Sequence, residues 1–173
     1  NSAMTGNVLE NATYGIGVLG SANVTVSGNL ARGNINGLAA TSTCTDVHFT
    51  ENTVLDNSVG IGFEYATGYE MDCSRNVIQG HDSGTSDVGI VFTASRGIQA
   101  YDNTISGLYE GIWIHGGDSH TVSNTSIDTC RYGIEISPLG GFGEPEPAWN
   151  NTVTGNEVMA RRLAFLINEP EYV

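Results

Sequence analysis

Two short phrases, EGIWIHG (110–116) and YGIEISP (132–138), hold the side chains best suited to chemistry in this chain. In each, a glycine is followed by Ile, a variable residue, and Ile again. If the two Ile residues face a core, alternation turns the variable slot outward, and those slots hold Trp113 and Glu135. One position past the second apolar residue of the equivalent phrases stand His115 and Glu64, with Tyr65 at the edge of the same face. An indole stacks on the apolar face of a pyranose while carboxylate and imidazole groups take its hydroxyls. These residues therefore predict a sugar-binding face, with Trp113, Tyr65 and Glu64 holding substrate. His115 and Glu135 are the candidate catalytic couple, able to pass a proton between them. The competing expectation is that the segment 138–149 covers Trp113 through Phe142 or Trp149.

Other reactive residue types are less suggestive. Cys44, Cys73 and Cys130 match no metal-ligand spacing and are expected to be reduced and structural. The stretches QGHDSGTSDVG (79–89) and HGGDSH (115–120) carry His and Asp among Gly and Ser, which is ordinary turn composition, so no metal site is predicted. His120 falls in an otherwise apolar column and is expected in the core, with Asn151 as its partner.

What positions these side chains is a repeat. Aligned on the glycine, the phrase returns as YGIGVLG (14–20), NGLAATS (36–42), VGIGFEY (59–65), VGIVFTA (88–94), the two above, and a degraded LAFLINE (163–169). One apolar column runs Ile16, Leu38, Ile61, Ile90, Ile112, Ile134, Phe165; the next runs Val18, Ala40, Phe63, Phe92, Ile114, Ile136, Ile167. A period of two is a strand with one buried face. Upstream, Asn7, Asn29, Asn52, Asn76 and Asn103 recur in step, Thr125 takes the sixth place and Asn156 the seventh. Two further apolar runs flank each of these positions, so every repeat offers three short strands separated by turns. Asparagine suits such turns because it tolerates left-handed backbone and bonds nearby main chain.

These features resemble the right-handed parallel β-helix repeat, N-x-[IV]…G-[IL], of pectate lyases, mannuronan epimerases, phage tailspikes and the periplasmic copper-site maturation proteins of nitrous-oxide reductase. The resemblance implies an all-β solenoid, a single-stranded right-handed parallel β-helix of about seven coils of roughly 22 residues. One domain is expected over 1–173, with inserted loops at 80–87 and 138–149. Stacked asparagines would then form an amide ladder, and each recurring glycine would sit where a side chain crowds the neighbouring coil.

The catalytic sets of the family are not matched. Its lyases use Arg or Lys as base with calcium in an acidic cluster, its galacturonase-like hydrolases three aspartates, and its epimerases a Tyr/Asp/His group. No cofactor is expected; calcium is the one the resemblance admits, and no motif here asks for it. Glu64 and Glu135 fall three coils apart, about 14 Å along the axis, beyond the roughly 5–9.5 Å of a glycosidase pair. The expectation is a carbohydrate-interacting domain of an extracellular polysaccharide-modifying or surface protein, with lyase-type chemistry the first choice if it is catalytic. The alternatives are a non-catalytic structural or adhesive stalk and, more weakly, a periplasmic copper-maturation module. Met and Cys residues lying mostly in core columns weigh against copper.

Composition agrees with that class. The chain has 173 residues, is 39% hydrophobic and only 14% charged, enough apolar material for one elongated core. A formal charge of −13 argues against nucleic acid and anionic membranes, leaving a polysaccharide or glycan as the expected partner. All six basic residues are Arg, which is consistent with a halophilic source. No apolar run is long enough to span a bilayer. The expected location is extracellular or cell-surface, with periplasm or virion as variants. Asn1-Ser2-Ala3 ahead of Met4 reads as a vector-derived leader on an excised fragment, whose coil ends other domains or oligomer mates would cover.

Overall fold

The computed structural model describes residues 1–81, 86–139 and 147–168. Strands and turns account for these residues, and among them no helix is long and apolar enough to cross a membrane. A seven-stranded parallel sheet takes one strand from each repeat, in chain order from Ser2–Thr5 to Thr152–Thr154. A second sheet of thirteen strands climbs one face from Val8–Glu10, and returns down another to Tyr14–Leu19. The long strand Ser126–Ser137 runs through both faces and joins them. The result is a parallel β-helix of about six full turns, one fewer than the coil count read from the repeats. Ser2 and Ala3, which read as a leader, pair in register with Val24 and Thr25 as part of the first rung.

The columns read from the sequence are the columns of the core. Ile61, Ile90, Ile112 and Ile134 stack in register, as do Phe63, Phe92, Ile114 and Ile136. Inside, Phe49, Phe63, Phe92 and His120 form a continuous aromatic column with centroid spacings of 5.3, 5.8 and 4.7 Å, the two Phe–Phe contacts tilted and Phe92–His120 stacked. At the C-terminal end the columns lose their cover, Phe165 being 53% and Ile167 66% exposed, whereas Ile16 and Val18 in the first coil stay buried.

Two ladders fix the rung spacing. Asn29, Asn52, Asn76 and Asn103 pass amide hydrogen bonds from rung to rung at 3.0–3.1 Å. Each side-chain oxygen also accepts the main-chain N–H of the asparagine below it. Thr125 weakens the run, offering only its Oγ1 to the Asn103 N–H at 3.4 Å. A second, shorter ladder, Asn34 to Asn57, was not anticipated. Beside the second ladder the repeated glycines pack main chain on main chain. A Cβ on Gly60 would stand 2.5 Å from the Gly89 carbonyl oxygen, and one on Gly111 2.6 Å from that of Gly133, distances no real side chain tolerates.

His120 is buried as expected, but Asn151 does not pair with its ring. Asn151 Oδ1 accepts the His120 main-chain N–H at 3.0 Å, while ring Nδ1 accepts the Ile98 N–H at 3.2 Å. Nε2 closes no hydrogen bond, although the Ser95 main chain lies near enough to favour a proton there. Burial outweighs that influence and pushes the imidazole pKa down to about 4, so the ring is neutral. Cys44, Cys73 and Cys130 are buried and unbridged, and burial pushes the Cys73 thiol well up.

Candidate functional site

Strand Glu110–Asp118 lies between Val88–Arg96 and Ser126–Ser137, paired in parallel with both. Ile112 and Ile114 point to the core and are buried, so Trp113 and His115 must turn outward. The register sets Trp113 beside Glu135 and His115 beside Ser137. The outward column is not uniformly open, however. Ala39 and Val91 are 1% and 6% exposed, low between their neighbours, and Trp113 is the first large side chain to rise from it.

Trp113 is itself half-buried. Its ring stacks on His115 with centroids 4.2 Å apart and planes within 11°, and its indole N–H donates to Ser137 Oγ at 2.8 Å. The imidazole is partly desolvated, which lowers its pKa and leaves it a neutral base. Glu135 is also half-buried and accepts one hydrogen bond, from Asn168 Nδ2 at 3.3 Å. Trp149 does not staple this indole. It pairs in register with Asp118, five positions along the strand from Trp113. Phe142, the other expected cover, lies outside the described residues, as do most of the 138–149 insert and 82–85 of the earlier one.

One residue of the site escaped the sequence reading. Glu110 occupies the position before the repeated glycine, in register with Val88 below and Tyr132 above. Its Oε2 is buried without a hydrogen-bond partner. Burial first, and the charge of Glu135 second, push its pKa up to about 7. The signal was present: the column holds Val59, Val88 and Tyr132, and a carboxylate among such neighbours is out of place. Two carboxyl groups that feel each other, one holding its proton near neutrality, can divide acid and base duties.

The remaining candidates separate. Glu64 stands in the column of Thr93 and His115, two rungs from the latter. Tyr65 leaves it: a φ of 53° turns the chain there, and the ring, 59% exposed, lines a different hollow around Arg96 and Asp118. Elsewhere His48 is held between two carboxylates, Nε2 to Asp46 at 2.7 Å and Nδ1 to Asp72 at 2.8 Å. Both ring nitrogens are taken, so it is not a free ligand. His81 reaches Asp56 at 3.2 Å. Among the described residues no group of three or more His, Cys, Asp or Glu side chains is arranged to hold a metal ion.

Comparison with protein families places the solenoid. Residues 54–163 match the family model described as right handed beta helix region, and residues 1–84 match that described as periplasmic copper-binding protein (NosD). The chain belongs to the right-handed β-helix family, whose model spans well over half of it. Searches of curated proteins and of solved structures gave no match.

Proposed function

We propose that this β-helix acts on a carbohydrate at the Trp113 face, with Glu110 and Glu135 as an acid–base pair. The observation that carries this reading is the buried, unpartnered Glu110 carboxyl on the strand whose half-exposed Trp113 stands in register with Glu135. Glu110 keeps its proton to about pH 7 and can protonate a departing glycosidic oxygen. Glu135, whose charge acts on Glu110, is the partner that serves as base or nucleophile. Trp113 offers ring surface to a sugar, and His115, neutral and stacked on it, orients the indole. Glycoside hydrolysis fits this set better than elimination from a uronate, which needs a cation against the substrate carboxylate where this face presents two acids. The setting is a polysaccharide-modifying protein outside the cytoplasm, in keeping with the periplasmic description of the family matched by residues 1–84.

Incubation with a panel of neutral and uronate polysaccharides tests the reading. New reducing ends without unsaturated uronate absorbance are expected from a neutral substrate, and Glu110→Gln and Glu135→Gln should each abolish them. Unsaturated products would replace hydrolysis with elimination. No product from any polysaccharide would leave a binding or stalk role.

A second reading has one specific observation in its favour, the match of residues 1–84 to a copper-binding family model. The soft ligand types do not gather: all three cysteines and Met71 are buried, whereas Met159 is 59% exposed. Titration with Cu(I) under a competing chelator separates the two, since sub-micromolar binding would favour the copper module.

A further inference from the structure

Around the corner from Trp113, at the ends of strands Val88–Arg96 and Glu110–Asp118, two hollows of about 510 and 350 Å³ share Arg96 and Asp118 in their walls. Tyr69 and Trp149 line the larger and Tyr65 the smaller. These rings are 84%, 61% and 59% exposed, and each lines a hollow that the same ion pair also walls. Single exposed aromatics are ordinary on a protein surface; three gathered along one cleft are not.

The ion pair is built firmly into the coil. Arg96 and Asp118 are in register, and Arg96 donates from Nε at 3.1 Å and from a terminal nitrogen at 2.7 Å to the same Asp118 oxygen. Ser119 Oγ donates to the other oxygen at 2.9 Å. These bonds, the Arg96 ones first, hold the Asp118 carboxyl below its usual range. The floor is closed by Gly117, at φ 92°, where a Cβ would collide with the Ser95 carbonyl. Arg96 remains 65% exposed along its side chain, with donors left over for a ligand.

We infer that this cleft is a second binding site, for one or two rings of a neutral sugar chain. Flat exposed rings match pyranose faces, and the fixed guanidinium–carboxylate pair offers donors and acceptors for hydroxyls. The pair is neutral as a unit, Glu70 adds a negative charge at the rim, and the chain carries −13, so a uronate or phosphate finds no net attraction here. The volume suits a mono- or disaccharide unit. The ligand class rests on the carbohydrate reading above, but the location does not depend on catalysis at Glu110.

Calorimetric titration with neutral oligosaccharides (glucan, mannan, xylan and galactan fragments) and with an oligogalacturonate tests the site. Saturable binding of at least one neutral chain is expected, with none of the oligogalacturonate. Tyr69→Ala and Trp149→Ala should each weaken it about tenfold or more; both side chains are largely exposed, and unchanged melting curves would verify folding. Glu110→Gln should leave this affinity unchanged, even if it removes all hydrolysis. Failure of every neutral chain to bind, preference for the oligogalacturonate, or binding indifferent to both aromatic substitutions would overturn the inference.

Discussion

Trp113 and Glu135 face each other in register on adjacent strands, yet the indole N–H passes Glu135 by and donates to Ser137 Oγ at 2.8 Å. That choice matters for the chemistry. Had the indole bonded Glu135, it would have held the carboxylate as an ion and taken one of its acceptor sites. Instead Glu135 keeps lone pairs for a ligand, and its charge acts on Glu110.

Substitution at Trp113 should therefore have two consequences. Trp113→Ala removes half-buried area, the stack on His115 and the Ser137 bond, and should cost roughly 1–2 kcal/mol of stability. Trp113→Phe keeps most of the ring and should recover part of that loss without the hydrogen bond. Urea denaturation of the three proteins checks this, and an unchanged midpoint for Trp113→Ala would mean that the ring rests on nothing.

Glu110 should make the fold less stable as pH rises. Its folded pKa of about 7 lies above the ordinary 4.5, so its favourable contribution is complete below about pH 4.5 and is lost as pH climbs through 7. Glu110→Gln cannot ionise. Its melting temperature should gain on the wild type across that interval, and a constant difference from pH 4 to 8 would contradict the raised pKa.

His120 works in the opposite direction. Its folded pKa of about 4 lies below the ordinary 6.5, so its contribution is complete above 6.5 and is lost as pH falls through 4. The loss should amount to roughly 3 kcal/mol. In the wild type the two slopes oppose each other between pH 4.5 and 6.5 and flatten the profile. His120→Ile, matching Ile98 below it, should unmask a steeper fall of stability with rising pH, measurable as a series of urea midpoints.

The asparagine ladder offers a stabilising change. Thr125 gives one long bond where its neighbours give two short ones. Thr125→Asn should restore the run and add roughly 0.5–1.5 kcal/mol, whereas Asn52→Ala, which strands the buried Asn29 N–H, should cost roughly 1–3 kcal/mol. Thermal unfolding of both variants would check the pair of signs.

The solenoid was legible in the chain because it is written many times over. Seven copies of a two-residue alternation and a recurring asparagine fix register even where one copy, such as LAFLINE, has decayed. The site is written once. Alternation placed Trp113, His115 and Glu135 on one face, but it carries no information on depth, so the burial of Ala39 and Val91 and the half-burial of Trp113 were invisible to it. Glu110 was not legible because it stands before the glycine, outside the alternation that defines the buried and outward faces. Tyr65 was misplaced for a different reason: one residue past the strand, a left-handed turn decides direction, and period-two reasoning stops there. The Arg96–Asp118 cleft lies at the ends of strands, where they pass into such turns.

The most direct test is a titration of Glu110 itself, by side-chain carboxyl NMR on glutamate-labelled protein without substrate. In the wild type its midpoint should fall near 7, and in Glu135→Gln it should drop while staying above 4.5, because burial is the larger cause and the Glu135 charge the smaller. A wild-type midpoint at 4.5, unmoved by loss of the Glu135 charge, would show two independent surface carboxylates and no acid–base pair.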